Sequence, residues 1–517
     1  MRKFVPGLLV FIAFAVLSFM LVLRDAKVEV AGDREPSSYD AISDTVHRIA
    51  REIENPEIFN PKSAPQYLNG LAAQAYQLNG FDFIPKGDAE SKRFVSEANA
   101  LANTMFGIRV RLGEKLGEFE RSGRMDANET LAVVDAFRRA HLYLRYSEDY
   151  VIQWLNKVSP LESRNEFFKG DGPLTMLNPE FRESSGNFKY KSGDIILVRG
   201  ASFFSATIAR ISDTPTNLSH SATVVETEAG ELRVVEALLE KGMVSYPLAT
   251  YLTLEHLPRA VIYRNVDPEL ARRSGAALWK FFQAQLQKPL PFDIVMDSAD
   301  HSKVYCFETS SIAYELGSNG RERIPRYQST MKQVVETDFA KQVGLNVDHL
   351  SAPADLDVDS RFRLVAEHRD PNMLDESRRY DVVVSKLFQL FRSGFTYKTD
   401  VSANLTAMTG IFARRFGMMK DKVPEGIKLD QFAALIRHKN LVNALMEQLG
   451  TAEQSELASR DGVPLSYRES EALFDKVCGT SCVKRKSVEL NGRPVEEERG
   501  RGAAAGGRCD MLFRPAI

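Results

Sequence analysis

The chain of 517 residues is too long for one hydrophobic core and suits about three folding units of roughly 150 residues each. An apolar share of 44% with 26% charged residues is globular composition and excludes wholesale disorder. Its 67 basic and 69 acidic side chains leave a formal charge of −2, which excludes the broadly basic face that nucleic-acid binding needs.

Residues 4–23 form an unbroken uncharged, mostly apolar run, preceded by Arg2 and Lys3 and closed by Arg24 and Asp25. As a helix it spans about 30 Å, the thickness of a bilayer core. A cleaved signal peptide is the competing reading, but its apolar region is usually about 7–15 residues and ends at a small-x-small site. No good cleavage site follows Leu23 and no cysteine is available there for lipidation. A transmembrane anchor over 1–24 is therefore expected, single-pass, in the cell membrane, with the body on the extracytoplasmic side. Residues 25–39 are polar and read as a stalk.

From 40 to 160 apolar residues recur every three or four positions, as in SYDAISDTVHRIAREIEN and NETLAVVDAFRRAHLYLRYSEDYVIQWLNKV. That period predicts a helical domain, with Asn128 as an N-cap and Glu129 behind it. No catalytic constellation lies in it, and a scaffolding role or a protein partner is its expected business. Residues 161–190 are loop-rich. DIILVRG, SHSATVVETE, ELRVVEALLE and RAVIYRNV then read as short β-branched strands separated by turns. Helices are expected at about 268–287 and 306–316, the second closed by Gly317. Residues 371–489 are helical again, and 490–517, rich in Gly, Arg and Glu, read as a disordered tail. The fold class expected is α+β: a small antiparallel sheet against a helix that begins at Cys306, flanked by helical domains.

Of the four cysteines, Cys478, Cys482 and Cys509 lie late in the chain. They allow a local disulfide or are ordinary thiols, and no histidine follows at zinc-ligand spacing. No cofactor or metal is expected. Cys306 differs, because it opens an amphipathic helix where unpaired N–H groups and the helix dipole favour a thiolate. The Cys306 N–H could also help bind an oxyanion.

A base for that nucleophile comes from the hairpin. Taking Glu226–Gly230 as its loop sets Val225 opposite Glu231 and His220 opposite Glu236, on one face and about 5 Å apart at Cβ. A carboxylate beside an imidazole orients the ring and stabilises its charged form. His301 and His256 are the rival bases if the register differs.

These residues resemble a known family. K-S-G-D-I-I-L at 191–197, S-H-S-A-T-V-V-E at 219–226, V-V-E-A at 234–237, P-F-D-I-V-M-D at 291–297 and Y-C-F-E-T at 305–309 are similar to the circularly permuted NlpC-type papain-like cysteine hydrolases, the YiiX/YebB-like group. The similarity covers about 185–370, within a papain-like domain placed at 161–370, and includes S-A-P-A-D-L at 351–356. Phe307 stands where a small hydroxyl residue is usual in that family.

The resemblance implies that Cys306 attacks a carbonyl, His220 shuttles the proton and Glu236 orients His220. Tyr305, Asp194 and Asp293 are candidate substrate-binding residues; core packing is the alternative for Tyr305, and turn-capping and loop-anchoring are the favoured jobs for Asp194, Asp293 and Asp297, which all match family positions. Glu308 suits the helix dipole. The expected activity is amide or peptide hydrolysis on a cell-envelope, peptidoglycan-type substrate. A lipid-directed acyltransferase or thioesterase using the same site, and a non-catalytic envelope scaffold, are the alternatives. A long apolar groove beside Cys306 would favour lipid, and an open polar cleft would favour peptide.

Overall fold

The computed structural model describes residues 39–78, 88–123, 126–161, 174–184, 187–252, 257–300, 302–397, 401–416, 418–419, 422–460, 462–479 and 513–515. The expected anchor and stalk lie outside the described residues, save Tyr39, which opens the first helix. Among the described residues no helix is long and apolar enough to cross a membrane.

Four helices come first: α1 (Tyr39–Glu52), α2 (Ala64–Leu78), α3 (Asp88–Ser122) and α4 (Ala127–Val158). The N-cap of α4 is Asp126, two residues before the position expected. Its carboxylate accepts from the N–H groups of Asn128 and Glu129, and the Glu129 carboxylate accepts from the N–H of Asp126. That reciprocal capping box explains why Glu129 is acidic.

A seven-stranded antiparallel sheet follows. The strands expected from sequence are present as β2 (Ile195–Arg199), β3 (His220–Glu226), β4 (Leu232–Leu238) and β6 (Arg259–Asn265). Three more join them, β1 (Thr175–Leu177), β5 (Gly242–Pro247) and β9 (Phe362–Arg369), in the order β1-β9-β6-β2-β3-β4-β5, while β7 (Ser329–Thr330) and β8 (His349–Leu350) pair with each other apart from it. Between β2 and β3 lies the short helix α5 (Phe203–Arg210), and α6 (Leu248–Tyr251) follows β5. Helices α7 (Pro268–Ala284) and α8 (Cys306–Gly317) pack on β3 and β4. Gly317 is not a left-handed cap. A Cβ there would come within 2.4 Å of Ser274 Oγ, so glycine is required by the close approach of α7 and α8.

The β3–β4 register differs from expectation by two residues. Ala222 pairs with Glu236 and Glu226 with Leu232. The loop is Thr227 to Glu231, because the Thr227 N–H donates to the Glu231 carbonyl at 2.9 Å and Gly230 takes a positive φ of 78°. A shift of two preserves the faces, so His220 and Glu236 remain on one side and meet diagonally.

The helical bundle is not a detached flank. Arg109 of α3 and Arg145, Glu148 and Asp149 of α4 interlock with Arg259, Glu367 and Arg369 on β6 and β9. The Arg109 guanidinium bonds Glu148 at 2.7 Å and Glu367 at 2.5 Å. Arg259 bonds Glu367 at 2.6 Å and also pairs with Asp149, while Arg369 pairs with Glu148 and Asp149. Arg145 holds Asp357 at 2.5 Å. Four guanidinium groups thus face four carboxylates in a buried layer. Burial alone would push the Glu367 carboxyl up, but Arg109, Arg369, Arg259 and Arg145 hold it well below the usual range.

The short helix α9 (Asp338–Val343) lies before the sheet's last strand, and the part expected to be helical, 371–489, holds α10 (Pro371–Arg392), α11 (Val401–Arg415), α12 (Leu429–Ser459) and α13 (Tyr467–Phe474). His438 of α12 is buried between Thr207 of α5 and Tyr397, each hydroxyl 2.7 Å from a ring nitrogen, and burial pushes its pKa down to about 3. A neutral imidazole thus ties α12 to the sheet-side helix α5. Within the tail expected to be disordered, Phe513–Pro515 pairs antiparallel with Phe395–Tyr397; the remainder of that tail lies outside the described residues.

Candidate active site

Strand β3 and helix α8 make the site between them. Ser221 and Thr223 point at the helix: Ser221 Oγ donates to the Cys306 carbonyl at 3.1 Å, and Thr223 Oγ1 lies 2.9 Å from Ser310 Oγ. These contacts pin the helix start against the strand. His220 begins the strand and by alternation sits on the other face with Glu236. The Cys306 thiol meets it at the strand end, where Sγ lies 3.8 Å from the Ser219 carbonyl.

The imidazole is held on both sides. His220 Nε2 lies 2.6 Å from Glu236 Oε2, and the Cys306 thiol is the second group acting on the ring. Burial pushes the His220 pKa down, but the Cys306 and Glu236 hydrogen bonds outweigh it and raise the value to about 10. Glu236 is buried, whereas the His220 side chain keeps 21% of its exposure, so the ring forms part of a reachable wall. Cys306 is 6% exposed and opens α8, where the first N–H groups have no intrahelical acceptor.

Tyr305 occupies the N-cap of α8, and its N–H donates to Glu308 Oε2 at 3.2 Å. Glu308 is therefore a capping residue, as its position implied. Burial, joined by the neighbouring carboxylates Asp293, Asp297 and Asp300, raises its pKa to about 7 despite that bond. Phe307 is fully buried and does not line the cleft, so its departure from the family pattern falls in the core.

The two aspartates expected near substrate are placed elsewhere. Asp194 is buried in a two-pronged pair with Arg264 at 2.7 and 2.8 Å and accepts the Lys191 N–H. Asp293 is buried too and accepts the N–H groups of Val295 and Asp297, anchoring the loop before α8. Neither lines the cleft, and each performs the turn-holding job its short carboxylate suits. Tyr305 does line it. Of the rival bases, His256 and His301 lie outside the described residues. Cys482 and Cys509 lie outside them as well, and nothing described bears on the side chain of Cys478.

A cleft of about 770 Å³ opens beside Cys306 and His220. One wall is the sheet side, with Phe203, Phe204, Leu238 and Leu239; the other is α12, with Phe432, Leu435 and Ile436. Lys422, Lys439 and Glu240 supply charge at its edges. Sequence reading missed this second wall, because it treated 371–489 as a flank. The available signal was Phe432, Leu435 and Ile436 beside buried Leu441 and Leu445, which puts apolar residues on more than one side of α12. Among the described residues no cluster of His, Cys, Asp and Glu could hold a metal.

Residues 189–365 match a family described as permuted papain-like amidase enzyme, YaeF/YiiX, C92 family. The matched segment contains Cys306, His220 and Glu236 and supports a circularly permuted papain-like cysteine hydrolase; the bundle and the helices from α10 onward lie outside it. No curated protein and no solved structure matches the chain.

Proposed function

We propose that the chain is a membrane-tethered cysteine hydrolase that cleaves an amide bond through a thioester on Cys306. The observation that carries this reading is the His220 ring, held between Glu236 at 2.6 Å and the Cys306 thiol at the start of a helix. With its pKa raised to about 10, the imidazole already holds a proton at neutral pH. In this proposal the attacking form is the Cys306 thiolate beside that imidazolium, with Glu236 steadying the cation. The sulfur attacks the carbonyl carbon, and the Cys306 N–H faces the developing oxyanion. Collapse breaks the C–N bond as His220 delivers its proton to the leaving nitrogen. Neutral His220 then takes a proton from water, whose oxygen attacks the thioester and releases the acid and the thiolate.

For the substrate, the cleft lining favours a second reading over the peptidoglycan-type peptide expected from sequence. Stem peptides bring several carboxylates and ammonium groups, whereas these walls are mostly apolar. An amide or thioester whose acyl chain lies along Phe203, Phe432 and Leu435 suits the cleft better, and a tether at 4–23 would keep such a site near lipid. The test is to incubate the protein with purified peptidoglycan, with a long-chain N-acyl amide and with an acyl thioester, and to search for acyl-Cys306 by mass spectrometry. A trapped fatty acyl group supports the lipid reading, and a trapped peptidyl group restores the peptide one. Turnover undiminished in Cys306→Ala would end the hydrolase proposal, and no adduct from any arm would favour a non-catalytic scaffold.

A further inference from the structure

Helix α11 is built the wrong way round for a helix that serves only the core. Its buried positions are small, namely Ala403, Ala407 and Gly410. A Cβ on Gly410 would come within 3.0 Å of the Phe432 ring, so this face must lie against α12 and cannot rotate outward. The bulky residues face away: Val401, Leu405, Met408, Phe412 and Phe416 are 55–76% exposed. At roughly 100° per residue they fall in one narrow stripe opposite the small face. Phe412 and Phe416 touch, with ring centroids 4.8 Å apart, and exposed Met418 and Met419 extend the patch. A contiguous apolar stripe of this kind marks an interaction surface.

The surroundings choose the occupant. Helix α11 carries Arg414 and Arg415 and no acidic residue, and Lys422 follows. At roughly 100° per residue Arg415 falls beside the stripe, whereas Arg414 falls on the small side, where the Val423 carbonyl accepts from it at 2.6 Å and Glu425 at 3.2 Å. An apolar face bordered by cations is the pattern of a helix lying in an anionic membrane interface. A second copy pairing stripe to stripe would offer Arg415 no acidic partner, since the helix carries none. The patch is also continuous with the cleft, because Thr406 of α11 and Met419 line it. The same chain carries the apolar run 4–23, long enough to cross a bilayer.

We propose that Val401–Arg415 is an interfacial helix that lays its apolar stripe into an anionic bilayer surface and sets the mouth of the Cys306 cleft against the lipid. The surface does not depend on the chemistry at Cys306, so Cys306→Ser should dock as the natural chain does.

The test uses the full chain with vesicles of phosphatidylcholine and phosphatidylglycerol whose acyl chains carry bromine. Leu405→Trp and Phe412→Trp are compared with Leu131→Trp, an equally exposed control on α4. The stripe tryptophans should be quenched roughly twofold or more beyond the control, by bromines placed about 5–10 Å into the boundary. Their quenching should fall when phosphatidylcholine replaces phosphatidylglycerol. Hydrogen exchange of 401–416 in the natural chain, slowed on adding vesicles, gives the same answer if a variant fails to fold. Quenching no greater than at Leu131→Trp, exchange unchanged by vesicles, or equal quenching on neutral lipid would overturn the proposal. So would a buried emission maximum of the tryptophan at 405 or 412 before vesicles are added, which would mean that a second copy or another segment of this chain covers the stripe.

Discussion

The sheet meets helices in two places built on opposite physics. Against the bundle, β6 and β9 bury Arg259, Glu367 and Arg369 with Arg109, Glu148 and Asp149, and the charges match one for one. Against the C-terminal helices, the same unit leaves a cleft of about 770 Å³ with mostly apolar walls. A buried charge layer tolerates no vacancy, since each lost partner leaves an unpaired ion in a low-dielectric site. An apolar cleft tolerates opening, because its walls lose only contact area when a ligand leaves. The first junction fixes the sheet, and the second is free to receive something.

The comparison can be broken from either side. Cys306→Ala should lower amide or thioester cleavage by about 10³-fold or more while leaving the melting temperature nearly unchanged, read by turnover and calorimetry on one preparation. Arg369→Met should do the reverse, costing about 3–5 kcal/mol in stability by denaturant titration while the folded fraction keeps its turnover. Loss of turnover per folded molecule in Arg369→Met would show that the charge layer reaches the site. Glu236→Gln should lower the rate by about 10²-fold. It should also change the pH profile. In the natural protein the imidazolium persists until pH rises through about 10, so the alkaline limb lies there, and removing the carboxylate moves that limb to lower pH.

Smaller effects sharpen the cleft. Phe432→Trp should shorten the preferred acyl chain, each excluded methylene costing about 0.8 kcal/mol, or about fourfold in kcat/KM across a chain-length series. The weakest effect concerns Glu308. Its raised pKa means that its stabilising contribution is complete below the ordinary value of 4.5 and is lost as pH rises through about 7. Glu308→Gln should therefore flatten the melting temperature between pH 5 and pH 8, and a slope unchanged by the substitution would count against that role.

The chemistry was more legible than its surroundings. Cys306, His220 and Glu236 announced themselves because a helix start and a hairpin impose local rules of spacing. The hairpin survived a two-residue error in register, since strand faces alternate with period two. Asp194 and Asp293 stayed open as substrate contacts, beside the favoured turn-holding role, because a carboxylate in a turn and a carboxylate at a site look alike until their partners are known. Arg264 and the loop N–H groups are those partners. Strands β1 and β9 escaped because β1 is only three residues long and β9 (FRLVAEHR) carries charges that read as surface.

What the sequence determined alone was local: helical periods, strand runs, the capped helix opening at Cys306 and the pairing of His220 with Glu236. These depend on residues near in the chain or joined by one short loop. Only the tertiary structure decided that β9 charges answer α3 and α4, that α12 walls the cleft, and that the bulky face of α11 looks outward. Each of those depends on which surface a distant segment packs against, and no local pattern of apolar and charged residues records that choice.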